Sequence, residues 1–425
     1  MKKTFYALTF GLSFAALLPA TAQDAARAIA QSAQPQVEMP GAPGRQCASM
    51  EVLAQQIAAD PAMSQRLAAI EAQTRSFVAN PTMNRTNAVV TIPVVVHVVY
   101  NTAAQNVPQS QIDAQIATLN ADYAKLNADA ANTPSIYAGL AANTNIQFVL
   151  AKRDPNGAAT TGVVRKSTKT RSFSSNDFVK YSSKGGSDAW PANKYLNLWL
   201  CNLGQGLLGY AQFPGGAAAT DGVVVLYSSV PGGAATNYNK GRTATHEVGH
   251  WLNLRHIWGD ASCGNDLVAD TPTQQTSNGG CPAFPHVTCS NQGDMSMNYM
   301  DYTYDQCMYM FTTGQSSRMN ALFGSGGARA SLLTSNGGTS PRTALTSYSL
   351  FPNPATSTLT LTDANVGTRT ANVSVQVYDI HGQLMKGARY NAATGRVDVQ
   401  GLNKGLYRIA INDGQQTVQK SFMKE

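Results

Sequence analysis

Residues 246–259 read His246-Glu247-Val248-Gly249-His250-Trp251-Leu252-Asn253-Leu254-Arg255-His256-Ile257-Trp258-Gly259, and the reading of the whole chain starts from them. His246 and His250 are four apart, so on a helix their imidazoles lie one turn apart on one face. Two neutral imidazoles at that spacing can grip one Zn²⁺, with Glu247 beside the open coordination position as a general base. The pattern alone also occurs by accident and in buried, salt-bridged helices. Here a third histidine, His256, follows six residues after His250. A straight helix would carry it about 240° further round, so the helix has to stop and the chain fold back. Asn253 lies where that reversal is needed, and asparagine is the residue after glycine that best tolerates positive φ. Three of the chain's six histidines fall in this one motif, which favours a metal site over a packed histidine cluster.

At 425 residues the chain has room for two or three domains. Charged residues are only 13%, about half the usual share. The net charge of +7 is spread along the chain without a dense Lys/Arg block, so no nucleic-acid arm is expected. The richest basic stretch, Lys152 to Lys184, is broken up by Gly, Ser and Thr and reads as a solvated surface. The N-terminus is Met-Lys-Lys, an apolar run from Phe5 to Pro19, then Ala20-Thr21-Ala22, which reads as a secretory signal peptide over residues 1–22. No later stretch approaches twenty apolar residues, so no transmembrane segment is expected in the mature chain. Export permits disulfides among the six cysteines.

Residues 23–85 form a polar leader in which Met50, Leu53, Ile57 and then Met63, Leu67, Ile70 recur at helical spacing. In an exported enzyme this is most simply a propeptide, and a small helical interaction domain is the rival reading. A catalytic domain is expected over 86–334. It opens on the β-branched run Ala88–Asn101, continues with an amphipathic helix from Pro108 to Leu126, and adds strands at Ile146–Ala151 and Tyr195–Cys201. The fold class is α+β, a mixed twisted sheet packed on helices. His97 reads as a packed strand residue. From His256 to Ser317 the sequence is loop-rich, with six Asp and no Lys or Arg, a composition that suits bound cations. Ser325 to Arg342 reads as a linker, its core at 335–342. Residues 343–425 alternate short strands with turns such as His381-Gly382 and Asp413-Gly414, which predicts a C-terminal antiparallel β-sandwich.

The long histidine motif, Asp270-Thr271-Pro272, and Asn298-Tyr299-Met300-Asp301-Tyr302 followed by Cys307-Met308 together resemble the pappalysin family of metzincin zinc metallopeptidases, and its small microbial members more than its large animal ones. The resemblance covers roughly residues 90–325. It departs from the metzincin pattern at Asn253, where glycine is common. The C-terminal module, with Phe351-Pro352-Asn353-Pro354, Val377-Tyr378-Asp379-Ile380-His381-Gly382-Gln383 and Gly405-Leu406-Tyr407, resembles the sorting domain of Bacteroidetes type IX secretion cargo. That resemblance implies the outer-membrane secretion machinery as a partner, and a secreted or cell-surface location.

The first resemblance implies that His246, His250 and His256 bind catalytic zinc, that Glu247 is the base, and that Met300 lies beneath the ligands in a tight turn. It implies Tyr302 as a stabiliser of the oxyanion, with a buried structural tyrosine as the alternative. Asp305 would sit at the base of a primed-side pocket and favour Arg or Lys just after the scissile bond, unless it is simply a surface carboxylate. Under that preference Asn84–Arg85 is a candidate self-activation site. Asp266, the Ala269 carbonyl and Thr271 match a calcium loop, with Asp270 either taking part or capping it, and an acidic solvated loop is the alternative. Four cysteines allow three pairings. The family pattern implies Cys263–Cys289 and Cys281–Cys307, against a zinc tetrathiolate. Cys47, in the leader, could occupy the open zinc position in a latent form; a disulfide with Cys201 or a free thiol are the alternatives. Cys201 itself reads as buried and inert. Gly206–Phe213 resembles the rim on which extended peptides add as a strand. The expected activity is hydrolysis of peptide bonds in protein or peptide substrates. A non-catalytic adhesin on the same scaffold is the rival, opposed by the intact Glu247.

Overall fold

β1 (Val90–Tyr100) runs through the middle of the larger unit, and its residues from Ile92 to Val99 are all buried. A strand covered on both faces needs this continuous Val/Ile run instead of alternation. In the computed structural model, which describes residues 46–80, 88–340, 348–363, 373–412 and 417–425, the chain divides into two compact units after Ser340. The signal peptide, the 84–85 bond and the 413–414 turn lie outside the described residues.

One edge of β1 takes two strands end to end, β2 (Ile146–Leu150) and β3 (Val163–Ser167). Its other edge pairs with β4 (Leu196–Cys201). All three pairings are parallel. β4 then pairs in parallel with β6 (Val223–Leu226), and β6 pairs antiparallel with β5 (Gly209–Ala211), which ends the sheet. Two helices of this unit pack together beside the sheet, α3 (Gln109–Tyr123) and α4 (Arg242–Trp251). Ile112, Ile116, Leu119 and Tyr123 give α3 its apolar stripe. The leader contributes α1 (Ser49–Ala59) and α2 (Ala62–Ala79), and α2 packs on α5 (Thr313–Ala321). Thr312 and Gln315 close a capping box at the start of α5.

The C-terminal end of α4 is pinned by a buried ion pair. Arg329 forks onto Asp221 at 2.9 and 3.1 Å, donates from Nε to the Trp251 carbonyl at 2.9 Å, and lies 3.5 Å over the Trp251 ring. Trp251 Nε1 also donates to Asp221. This corrects the expectation of a linker from Ser325 to Arg342. The segment through Ser340 belongs to the larger unit, because Arg329 and Leu332 are buried in it and Gly337 packs against Tyr195. Glycine and serine here serve close packing, which composition does not distinguish from flexibility.

The smaller unit has a four-stranded sheet, in the order Arg389–Asn391, Arg396–Asp398, Thr358–Asp363, Tyr348–Phe351. A three-stranded sheet of Ser374–Tyr378, Gly405–Asn412 and Thr417–Lys424 accompanies it. Pairing in both is antiparallel, around a core that includes Leu359, Leu361, Val397, Ile409 and Phe422. Among the described residues no helix is long and apolar enough to cross a membrane.

Replacing Arg329 with Met would leave Asp221 buried without its cation. Loss of one partner of a buried pair costs about 3–5 kcal/mol. Chemical denaturation of the Arg329→Met protein is expected to show that loss in the larger unit; a change under about 1 kcal/mol would mean the pair contributes nothing net.

Candidate active site

α4 stops where the sequence requires it. Its C-terminal amides close on Val248 and Gly249, Asn253 takes φ 69°, and Leu254 N–H returns to the Gly249 carbonyl. That reversal brings His256 back to the helix. The Nε2 atoms of His246 and His256 each lie 3.1 Å from His250 Nε2. Each ring is oriented by its other nitrogen. His246 Nδ1 is 2.7 Å from the Tyr299 carbonyl, His250 Nδ1 is 2.8 Å from the Leu254 carbonyl, and His256 Nδ1 is 2.5 Å from Asp260 Oδ1. A carbonyl only accepts, so Nδ1 of His246 and of His250 carries the hydrogen and Nε2 presents a lone pair. Burial holds His250 far below its ordinary pKa, and the neighbouring His256 adds to this, so the ring is neutral.

Lone pairs gathered this closely repel unless a cation lies between them. Tetrahedral zinc with Zn–N of about 2.0–2.1 Å separates its nitrogens by roughly 3.4 Å, near the observed spacing. The donors are also the right kind, imidazoles whose second nitrogens are hydrogen-bonded. Cys47 Sγ completes a four-atom group within 4.8 Å. The residues therefore fit a catalytic zinc centre.

The leader reaches this centre along β5. Leu208 N–H donates to the Gln46 carbonyl, Ala48 N–H donates to the Gly209 carbonyl, and Cys47 bridges Gly209 in parallel. The Cys47 thiol sits 3.3 Å from Glu247 Oε2. Burial, and then the Glu247 charge, push that thiol well above its usual pKa. Ser49 Oγ donates to the same carboxylate oxygen at 2.9 Å while accepting the Ala211 N–H at 2.8 Å. Gly209 faces Glu247 so closely that a Cβ there would stand 2.8 Å from Oε1. Tyr302 Oη lies 3.2 Å from His256 Nε2 and 3.4 Å from the Cys47 carbonyl. Met300 is fully buried under α4, its sulfur 2.4 Å from where a Cβ on Gly249 would stand.

The remaining candidate residues lie further out. Asp305 is buried at the start of α4, where its Oδ2 accepts the N–H groups of Lys240 at 2.9 Å and Arg242 at 3.2 Å. Asp266 is buried, both its oxygens 2.9 Å from Thr271 Oγ1, and burial pushes its pKa up to about 7. Asp270 instead accepts from Thr312 Oγ1 and Gly314 N–H, so it holds the start of α5. Cys263 is bonded to Cys289 and Cys281 to Cys307, while Cys47 and Cys201 are free thiols. His97 is buried between Ser187 and Asn197, stacks on Trp199, and is held down to about 4 by burial. Ser49 and Asp260 are functional contacts that the sequence reading did not single out. A carboxylate four residues after a candidate ligand was a usable signal for Asp260; nothing local marks Ser49.

Known proteins place this arrangement. Residues 180–324 match the peptidase M43 family described as pregnancy-associated plasma protein-A, and residues 349–425 match the secretion system C-terminal sorting domain. An extracellular metalloprotease of Arthroderma benhamiae is 36% identical over 241 residues, covering 54% of this chain and 76% of that protein. Mature mirolysin of Tannerella forsythia, solved with a cleaved peptide, is 54% identical with a TM-score of 0.57, covering 58% of this chain and 97% of its own. A promirolysin variant from the same organism is 49% identical with a TM-score of 0.62, covering 68% of this chain and 97% of its own. The chain belongs to the pappalysin-like M43 family of metzincins: it is a secreted zinc-dependent endopeptidase with a C-terminal type IX secretion sorting domain.

Proposed function

We propose that this protein is a latent endopeptidase in which His246, His250 and His256 hold the catalytic zinc and Glu247 is the general base. The observation that carries the reading is the convergence of the three Nε2 atoms beside the Glu247 carboxylate. Zinc, when bound, polarises the scissile carbonyl and acidifies water. Glu247 takes the proton as water attacks and gives it to the leaving amine. Tyr302, whose hydroxyl is 3.2 Å from His256 Nε2, donates to the oxyanion of the tetrahedral intermediate. Asn253 and Met300 shape and floor the ligand set.

Residues 1–22 act as the signal peptide, 23–85 as the inhibitory leader, and the unit from 343 as the export module. In the latent form Cys47 would hold the zinc together with the three histidines, its thiol made a thiolate by the charge of the metal. Asp305 directs cleavage to bonds followed by Arg or Lys, because a carboxylate at the base of the pocket pairs with a cationic side chain. Asp266, the Ala269 carbonyl and Thr271 hold a structural Ca²⁺; an Asp with a hydroxyl beside both its oxygens is suitable oxygen-donor chemistry. The two disulfides staple the loops around this region. The adhesin alternative needs neither the base nor the metal.

Wild-type, Glu247→Ala and Cys47→Ala proteins are to be assayed on an Arg-containing peptide, with and without chelator. Loss of the base should cost about 10²–10⁴-fold in rate, and chelation should silence the wild type. Equal cleavage by wild type and Glu247→Ala would sink the enzymatic assignment of that residue. Cys47→Ala should be active before processing; unchanged latency would remove the switch. Mapping cut sites in a peptide library should return Arg or Lys after the scissile bond, a preference lost in Asp305→Asn. Random residues after the cuts would refute the pocket. Calcium should raise the thermal midpoint of the wild type by several degrees and leave Asp266→Asn unmoved; no calcium response in the wild type would reject that loop.

A further inference from the structure

A second charged site lies at the opposite end of α4 from Asp305. Glu71 of α2 is forked onto Arg318 of α5, Oε1 at 3.0 Å from Nη1 and Oε2 at 2.8 Å from Nη2. Both side chains are buried, 6% and 4% exposed. Arg318 also donates to the carbonyls of Asn253, at the chain reversal between two of the histidines, and of Leu267.

The leader thus supplies a carboxylate to a cationic pocket of the catalytic unit, and loss of the leader takes that carboxylate away. Arg318 keeps two backbone carbonyls as hydrogen-bond partners, and Asp266 of the catalytic unit feels its charge. A planar guanidinium preorganised for two parallel hydrogen bonds is a strong receptor for another carboxylate. The position of this pocket is fixed by the zinc helix itself. Asp305 binds the N–H of Arg242, the first residue of α4, and Arg318 binds the carbonyl of Asn253 just beyond its last. Ten residues of helix span about 15 Å, with His246 and His250 between the two charges. Leu67, one turn before Glu71 on α2, packs with Phe213, whose ring stands 5.4 Å from that of His250. Leu67 thus connects the helix that carries Glu71 to the surroundings of His250.

We infer that Arg318 is a substrate subsite for an acidic side chain on the amino-terminal side of the scissile bond, which Glu71 fills in the latent protein. The inference rests on the proposed roles of Asp305 and of the leader: a cation recognised after the cut at one end of α4 assigns the other end to residues before it. Substrates would carry an acidic residue upstream and a basic one immediately downstream. A purely structural Arg318, one that only fastens the Asn253 turn, would show no such dependence on substrate sequence.

The test uses the matured full catalytic chain, with leader loss verified by mass. Peptides with a single Arg fixing the cut carry one Glu, Gln or Ala moved through each position on both sides. At one upstream position Glu should raise kcat/KM over Gln about tenfold, the size of one charge-assisted hydrogen bond. Downstream positions should show no such gain. The Glu/Gln ratio should fall to unity in Arg318→Gln and only partly in Arg318→Lys, which keeps the charge but not the fork. A wild-type enzyme indifferent to upstream Glu overturns the inference without recourse to any variant. So does a ratio that survives Arg318→Gln. Failure to cut even the Ala peptide would instead indict the proposed chemistry, and a Glu preference downstream would indict the assignment of Asp305.

Discussion

Three hydrogen bonds that involve no catalytic atom determine what this protein can do. The carbonyls of Tyr299 and Leu254 and the carboxylate of Asp260 each engage one Nδ1 and thereby aim three Nε2 lone pairs at one point. Left alone, such a cluster of acceptors is electrostatically unfavourable, and a divalent cation between them would relieve that repulsion. Each of the three partners comes from a different local device. One is the Met300 turn, one the loop closing α4, and one the first turn beyond Trp258. The sheet, α3 and the Arg329–Asp221 anchor serve to keep these devices in register with α4.

The leader answers this centre group by group. Cys47 approaches the open face of the histidines, Ser49 occupies the Glu247 carboxylate and the Ala211 amide together, and Glu71 engages the arginine beside the Asn253 turn. β5 is an edge strand, and the leader satisfies its outward amides and carbonyls as an added strand would. A single short segment thus lies against the histidines, the base and the strand edge together.

The sequence carried the α+β class and the centre of the site because both rest on local rules. Spacing of four puts two rings on one helix face, a third ring six further on demands a break, and Asn253 is a residue that can make one. The Val-rich run through β1 announced a strand buried on both faces. What composition could not give were contacts between distant segments. Gly337 and Arg329 sit in a stretch whose Gly and Ser content looks like a tether, yet their partners Tyr195, Asp221 and Trp251 lie far away in sequence. Strands β3 and β6 escaped notice because they are short and their pairing partners, not their own patterns, define them. Cysteine pairing likewise lay beyond arithmetic, and only the resemblance chose among three options.

The loop-rich wall between His256 and Ser317 bears on the enzyme's survival among its own kind. It holds almost no regular secondary structure, and such segments are where proteases ordinarily nick one another. Yet it has no lysine or arginine over its whole length. Under the basic preference proposed for the cleft, that composition offers neighbouring copies no residue to recognise there.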